Sequence, residues 1–233
     1  MNKTVLITGG SGGIGNAVAK KFAENGWNIV GIYNKHSIST ELVGFCQEKG
    51  VGLTQVKLDI TSSAEVERVF KTAFDTQNIL CVVCNSGISL GEKMLCDISD
   101  EEIAKLVQTN LMGTIYCNRE ASKLLMEKRK GEIINISSVY GVNGGSCEAV
   151  YSATKAGINA LTMSLAKEIE CAGVKVNAVA PGFVETKMTA CFSEKEKEEI
   201  RQSGEMSVLK PEEVAQFVFD ITKQDVSGKI FVI

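Results

Sequence analysis

A serine, a tyrosine and a lysine, Ser138, Tyr151 and Lys155, follow one another at intervals of thirteen and four residues. A spacing of four puts two side chains on one face of a helix about a turn apart, so the Tyr151 phenol and the Lys155 ammonium can address the same bound molecule. A phenol with a reference pKa near ~10 is a poor acid at neutral pH; a neighbouring ammonium favours the phenolate, and is expected to shift Tyr151 downward into a usable proton donor. A second signal lies near the N-terminus in Thr8-Gly9-Gly10-Ser11-Gly12-Gly13-Ile14-Gly15. It parses as G-x-G-x-x-G through Gly10, Gly12 and Gly15, or as T-G-x-x-x-G-x-G through Gly9, Gly13 and Gly15. In either form bare backbone and the unpaired N–H groups of a helix starting near Gly13 make a pyrophosphate cradle, with a purely structural tight turn as the alternative.

Regular elements must hold both sets of residues. Short β-branched runs recur from Lys3 to Thr8, Asn28 to Tyr33, Gly52 to Leu58, Ile79 to Cys84, Gly131 to Ile136 and Val174 to Ala180, several apolar enough for burial on both faces. Gly228 to Ile233 is a seventh, terminal strand. Helical segments lie between them. The first runs from Asn16 to Asn25 and stops at Gly26, and Ser62 opens another with Glu65 three residues on, the spacing of a capping box. Repeated strand-helix-strand units imply a parallel sheet with right-handed crossovers: an α/β, Rossmann-like, doubly wound three-layer sandwich whose ligands bind beyond the carboxyl ends of the strands. Pro181 ends the sixth strand and Pro211 begins a helix, both places where a missing N–H costs little.

Length and composition bound the rest. A chain of 233 residues and net charge −3 fits one α/β domain over residues 1–233, without the basic excess that marks a nucleic-acid or anionic-membrane face. No run approaches the roughly 18 uninterrupted apolar residues of a membrane span, and Met1-Asn2-Lys3-Thr4 leads directly into a strand, so a cytoplasmic protein is expected. The eight cysteines fall mostly in apolar patterns, Cys81 and Cys84 in a strand, Cys117 and Cys171 in helices, which reads as buried free thiols. Cys81-Val82-Val83-Cys84 has C-x-x-C spacing, but residues three apart in a strand point to opposite faces and no second pair completes a zinc site; no metal is expected.

Strand ends carry the remaining signals. After the second strand the chain reads Tyr33-Asn34-Lys35-His36, with no Asp or Glu between Glu24 and Glu41 to grip the ribose hydroxyls of NAD. A 2′-phosphate meets no repulsion there and can pair with Lys35, which favours NADP; His36, the only histidine, either assists or is an exposed loop residue. Asp59, in Leu58-Asp59-Ile60, either accepts from an adenine amino group or serves the helix start that follows. Beyond the sixth strand, Phe183 to Lys210 is the least regular large segment, charged through Ser193-Glu194-Lys195-Glu196-Lys197-Glu198-Glu199. It reads as a lid over the substrate, with a solvated surface helix as the alternative.

In order and spacing these motifs resemble those of the classical short-chain dehydrogenase/reductases, and within them the bacterial 3-oxoacyl-acyl-carrier-protein reductases, over nearly the whole chain. Thr8 to Gly15 is similar to the family's cofactor turn, carrying Gly9, Ser11, Gly12, Gly13, Ile14 and Gly15 into the cofactor site with Tyr33, Asn34 and Lys35; Asp59 and Ile60 match its adenine contact. Cys84-Asn85-Ser86-Gly87 is a diverged form of the family's Asn-Asn-Ala-Gly strand end; Asn85 and Gly87 persist, while Cys84 and Ser86 put the local hydrogen bonds in question. Asn110 in Thr109-Asn110-Leu111 matches the catalytic asparagine, Asn135-Ile136-Ser137-Ser138 brings the serine, Tyr151-Ser152-Ala153-Thr154-Lys155 the tyrosine and lysine, and Pro181, Gly182, Val184 and Thr186 the nicotinamide-side turn. The resemblance implies that NADPH delivers hydride to a carbonyl carbon while Tyr151 protonates the oxygen and Ser138 holds it. It further implies that Lys155 lowers the tyrosine pKa and binds the nicotinamide ribose, that Asn110 holds a water linking Lys155 to solvent, and that the protein is a homotetramer built on the helices around Asn110 and Tyr151 and on the terminal strand. The chain stops at Ile233, without the longer glycine-containing tail of many relatives, which leaves open what closes the substrate pocket.

The substrate side is read at Gly144-Gly145-Ser146-Cys147-Glu148, with Cys147 and Glu148 just before Tyr151. In the resembled reductases the place of Glu148 is commonly neutral. An acid one turn before the tyrosine attracts a cationic substrate group, or else only complements the dipole of a helix start. The Ser-Cys-Glu run resembles the branch of the family that reduces the 5-aminopentanone modification on translation elongation factor P. Three functions follow: reduction of a 3-oxoacyl group on acyl carrier protein in fatty acid synthesis, reduction of that modified translation factor, and a non-enzymatic NADP-binding sensor, which would have no use for an intact Ser138, Tyr151 and Lys155. Lys128-Arg129-Lys130 is a small basic patch suited to either acidic protein partner.

Overall fold

Every strand of the main sheet runs parallel to its neighbours, so each must be reached by a crossover, and the helices supply these crossovers. A computed structural model describes residues 2–204 and 206–233. Met1, the first residue of the expected strand approach, and Glu205, inside the expected lid, lie outside the described residues. The strands are β1 (Thr4–Thr8), β2 (Asn28–Tyr33), β3 (Leu53–Lys57), β4 (Ile79–Cys84), β5 (Gly131–Ile136), β6 (Val174–Ala180), a short separate pair β7 (Phe183–Val184) and β8 (Val208–Leu209), and β9 (Ile230–Val232). Their order in the main sheet is β3-β2-β1-β4-β5-β6-β9. Chain direction across the sheet reverses between β1 and β4, which opens a crevice at their carboxyl ends.

The helices are α1 (Gly13–Glu24), α2 (Thr40–Glu48), α3 (Ser63–Thr76), α4 (Asp100–Leu106), α5 (Gly113–Lys128), α6 (Tyr140–Asn143), α7 (Ala149–Ile169), α8 (Glu194–Ser203) and α9 (Pro211–Ile221). They divide between the two faces of the sheet, because residues that alternate along each strand feed two cores. Under α1, α2 and α9 lie Val5, Ile7, Val83, Ile134 and Phe22, whose ring meets Trp27 and Phe219 edge-on at 5.2 and 5.1 Å. Under α3, α5 and α7 lie Leu6, Val82, Ile133, Phe70, Leu125 and Ile169. The expected three-layer sandwich is therefore the observed one, with strand limits displaced by no more than two residues at either end.

Local signals behave as their chemistry demands. Ser62 caps α3 by accepting from the Glu65 backbone N–H, the forward half of the expected capping box, without the reciprocal bond to the Glu65 side chain, and Gly26, with φ of +76°, supplies the left-handed turn after α1. Helix α1 starts at Gly13 rather than Asn16, since its glycine-rich first turn is helical although it carries little apolar periodicity. Cys81 and Cys84 do enter opposite cores. The expectation for Cys171 is corrected: it is exposed, in the tight turn Glu170–Ala172 after α7, beyond the last apolar stripe of that helix. Among the described residues no helix is long and apolar enough to cross a membrane.

The segment after β6 is ordered by its own charges. Ser193 and Glu196 form a reciprocal capping box at the start of α8, and Lys197 and Arg201 reach the Glu185 carboxylate at 3.8 and 3.4 Å, tying α8 to the chain that follows β7. No residue of α8 is buried, as the surface-helix alternative requires, while Glu196 and the flanking Met188, Phe192 and Met206 line the crevice, as a lid would.

Candidate active site

At the carboxyl ends of the central strands lies an open cavity of about 1210 Å³. Its floor begins with the glycine turn between β1 and α1. Gly9 has φ of +67°, and a Cβ built on Gly15 would overlap the Gly9 carbonyl oxygen and lie 2.8 Å from the Asn85 amide nitrogen. A Cβ on Gly13 would lie 2.8 Å from the Thr186 methyl, whereas one on Gly12 meets only the Gly9 oxygen, at 3.3 Å. A Cβ on Gly10 would press on Ile38 at 3.0 Å and on the Gly31 backbone at 3.3 Å, so of the glycines in the two forms of the motif Gly12 is the one with most room. The α1 N-terminus has neither a side-chain cap nor an acidic residue in its first turn, so its N–H groups and dipole are directed at the cavity. Asn85 fastens the turn to the end of β4: its Nδ2 donates to the Thr8 and Gly9 carbonyls at 3.2 and 3.1 Å, while Thr8 Oγ1 accepts from the backbone N–H of Asn85 and Ser86. The hydrogen bonding put in question by Ser86 is supplied by its backbone.

Tyr33, Asn34, Lys35 and His36 line the far end of the cavity, Lys35 and His36 both exposed. Glu41, four residues beyond Ser37 in the sequence, also reaches this rim, but its carboxylate is held by Lys20 at 2.6 Å. Asp59 lines the same end with Ile60 and accepts from the Thr61 N–H and hydroxyl at 3.0 and 2.8 Å, while the capping of α3 falls to Ser62. Ser11, Ile14, Pro181, Gly182, Val184 and Thr186 complete the walls.

At the near end, Ser138 follows β5 and is hydrogen-bonded to Tyr151 in the first turn of α7. Lys155, 4% exposed, donates from Nζ to the Ile136 carbonyl at 2.9 Å and lies 5.5 Å from the centroid of the Tyr151 ring. Gly87 passes directly over it: a Cβ there would sit 3.6 Å from Lys155 Nζ and 3.4 Å from Asn110 Oδ1. Asn110 lies in a turn of π-helix, Val107–Met112, between α4 and α5, and its side chain bonds the Ile88 N–H and carbonyl, both at 2.8 Å. Its main-chain carbonyl accepts from Thr114 Oγ1 at 2.7 Å. The expected lowering of the Tyr151 pKa is corrected. Burial above all, then the Glu148 carboxylate, pushes the phenol up to about 12 against the pull of the Ser138 hydrogen bond, and burial pushes Lys155 down to about 8. Taking the phenolate out of water costs more here than the lysine returns, since its ammonium is directed at Ile136.

A profile of the short chain dehydrogenase family matches residues 3–197, most of the chain. The chain belongs to that family. Its relatives include the 3-oxoacyl-(acyl-carrier-protein) reductase FabG of Staphylococcus aureus, 35% identical over 201 residues, which are 86% of this chain and 82% of the relative. The reductase of the same name from Rickettsia felis is 36% identical over 222 residues, 93% of this chain and 87% of the relative. Among solved structures, gox2181 superposes with a TM-score of 0.91 at 26% identity, covering 100% of this chain and 94% of that one. A tyrosine-to-phenylalanine variant of ElxO with NADPH bound superposes with a TM-score of 0.88 at 27% identity, covering 100% and 97%. The protein is accordingly an oxidoreductase acting on CH–OH or C=O groups.

The substrate side of this short-chain dehydrogenase differs in part from expectation. Glu148 lines the cavity, half-buried, at the position that caps α7, and accepts from the Ser89 hydroxyl at 3.2 Å; burial, and less strongly Glu92, raises its pKa. Cys147 does not line it. Its backbone is left-handed, with φ of +58°, and its carbonyl accepts from the Lys93 N–H at 2.9 Å, so it joins two loops rather than facing substrate. Sequence reasoning missed Ser89, Glu92 and Tyr140, which also line this end. No spacing signal marks them, because they come from the loop after β4 and from α6 and meet only in the folded chain.

Proposed function

We propose that this dehydrogenase uses NADP(H) to reduce a ketone to a secondary alcohol, with a 3-oxoacyl group carried on acyl carrier protein as its substrate. The observation that carries the reading is the hydrogen-bonded Ser138–Tyr151 pair beside the buried Lys155, in the same cavity as the glycine turn. The residues present fit the dinucleotide: a cradle that side chains on Gly9, Gly13 and Gly15 would fill, an uncapped helix N-terminus, and Lys35 where a 2′-phosphate needs a cation. The likeness to ElxO, whose structure holds NADPH, and to the FabG reductases supports the same cofactor and substrate.

When bound, NADPH supplies a hydride to the carbonyl carbon. Tyr151, a neutral phenol at a pKa of about 12, donates its proton to the developing alkoxide, and Ser138 orients both. Lys155, at about 8, holds a positive charge through neutral pH beside that proton. Asn110 spends its side chain on Ile88, which holds the β4 loop over Lys155, so a relay water would be met by its main-chain carbonyl rather than by its side chain.

One observation favours a second reading. Glu148 and Glu92 face the cavity near Tyr151, and among the described residues neither carboxylate is in an ion pair, an arrangement suited to a cationic substrate such as the 5-aminopentanone group on elongation factor P. Steady-state NADPH oxidation, with an acetoacetyl thioester and an amino-ketone side by side, separates the readings. Turnover of the thioester supports the first, absolute preference for the amine replaces it with the second, and oxidation with neither rejects both carbonyls as the substrate. The same reading places the protein in the cytoplasm as a homotetramer. Exposed Val142, Met163 and Val232 flank a shallow apolar cavity between α7 and β9 that supports such a contact, and light scattering of the purified protein tests it.

A further inference from the structure

Beneath the cavity a line of buried polar side chains runs on from the Asn110 turn, and its central pair has no role in the chemistry above. Asn118 on α5 and Asn135 on β5, 1% and 0% exposed, exchange two hydrogen bonds: Asn118 Nδ2 donates to Asn135 Oδ1 at 2.8 Å and Asn135 Nδ2 to Asn118 Oδ1 at 3.1 Å. On one side Asn118 also donates to the Thr114 carbonyl at 2.9 Å, and the Thr114 hydroxyl donates to the carbonyl of Asn110. On the other side Asn135 donates to Thr162 Oγ1 at 3.0 Å, and Thr162 donates to the Ile158 carbonyl at 2.8 Å, one turn of α7 beyond Lys155. Asn135 immediately precedes Ile136, whose carbonyl accepts the Lys155 ammonium, and Ser137, whose hydroxyl donates to the Lys155 carbonyl at 3.2 Å.

Two primary amides in an apolar core cost free energy unless every group is bonded, and apolar residues of the same shape would stabilise the fold as well. What a satisfied network adds is a single relative placement of the elements it joins. Here those elements are the Asn110 turn, the end of β5 and α7, which carry Asn110, Ser138, Tyr151 and Lys155. We propose that the Asn118–Asn135 amide pair is a positioning element that sets α7 against β5 and the Asn110 turn, and thereby sets the geometry of Lys155 and Tyr151 at Ser138. The inference rests on the catalytic reading of Tyr151 and Lys155 given above.

The test is the set Asn118→Leu, Asn135→Leu and the double variant, read by thermal melting, NADPH titration, kcat and KM with the acetoacetyl thioester, and the pH profile of kcat. Each single variant leaves one amide buried without its partner and lowers Tm, whereas the double variant removes both amides and regains much of that loss. Positioning predicts that kcat of the double variant stays about ten-fold or more below the parent while KM and NADPH affinity stay within about two-fold, and that the apparent pKa of the profile moves by about half a unit or more. A double variant whose kcat returns to within about two-fold of the parent along with its Tm would overturn the proposal. If the double variant does not fold, Thr162→Val, nearly isosteric, carries the test: a fall in kcat of about three-fold or more at constant KM supports the proposal and an unchanged kcat overturns it. Tyr151→Phe is assayed in parallel. Near-normal turnover there sinks the site reading and this proposal with it, while loss in Tyr151→Phe beside normal kcat in the network variants sinks this proposal alone.

Discussion

Lys35 stands exposed at the end of β2 on the rim of the cavity, and the nearby Glu41 carboxylate is neutralised by Lys20. A phosphate there gains a charge-assisted contact without meeting a free acid. Isothermal titration should show NADPH binding more tightly than NADH, and Lys35→Ala should narrow the gap by about 1 to 2 kcal/mol. Equal affinities in the parent protein would reject Lys35 as the discriminator. Glu148 poses a different question, since it faces the cavity and also raises the Tyr151 pKa. If its carboxylate pairs with a substrate amine, Glu148→Gln should cost roughly 1 to 3 kcal/mol in kcat/KM for an amino-ketone and leave an acetoacetyl thioester nearly unchanged. A parallel change on both substrates would instead place its effect on Tyr151, because glutamine removes the charge that opposes the phenolate.

The turn between β1 and α1 is crowded by the protein itself before any ligand arrives. A methyl at Gly15 would collide with the Gly9 carbonyl and the Asn85 amide, and both belong to the hydrogen bonds that fasten the turn to β4. Gly15→Ala should therefore lower Tm, by an overpacking cost of about 1 to 3 kcal/mol, together with NADPH affinity. Gly12→Ala meets only one atom, at 3.3 Å, and adopts an ordinary extended φ of −78°, so it should melt near the parent and lose affinity only through the approach of the cofactor. Calorimetry and NADPH titration on the two variants would separate these costs, and equal Tm losses would refute the distinction. Asn110 is placed by a comparable local constraint. It lies at an irregularity in the helix, and that irregularity is what brings its side chain to Ile88.

Far from the cavity, at the amino end of β5, Glu132 is 7% exposed and its Oε2 has no hydrogen-bond partner among the described residues. Its neighbours in register are Cys81 on β4 and Lys175 on β6, and Lys175 offsets the desolvation only partly, so burial pushes the carboxyl up from 4.5 to about 7. Between those values the folded protein holds more protons than the unfolded chain, so stability falls as pH rises from about 4.5 to about 7, and the penalty is complete above that range. Glu132→Gln should abolish this slope and stabilise the protein at pH 8 by up to roughly 3 kcal/mol, a gain of several degrees in Tm, with little change near pH 4. Melting curves of both proteins at the two pH values check it; an equal Tm difference at both would mean that the charge is not the cause.

The strands, the helix starts and the glycine turn were legible in the chain because each is encoded by near neighbours: alternation of apolar residues, a serine three before a glutamate, glycines where a Cβ cannot fit. Ser138, Tyr151 and Lys155 were legible for the same reason, two of them one helical turn apart and the third at a strand end. The sign of the Tyr151 shift was not, because it depends on how much water the fold removes and on which carbonyl the Lys155 ammonium faces. Nor was the pairing of Asn118 with Asn135, 17 residues apart on a helix and a strand that alternation alone would fill with apolar residues. Cys147 was placed on the substrate side by proximity in sequence to Tyr151, yet its carbonyl was claimed by Lys93, more than fifty residues earlier in the chain. Element identity follows from interactions within a turn or two of backbone, whereas desolvation and hydrogen-bond partners are sums over segments that meet only once the sheet is assembled.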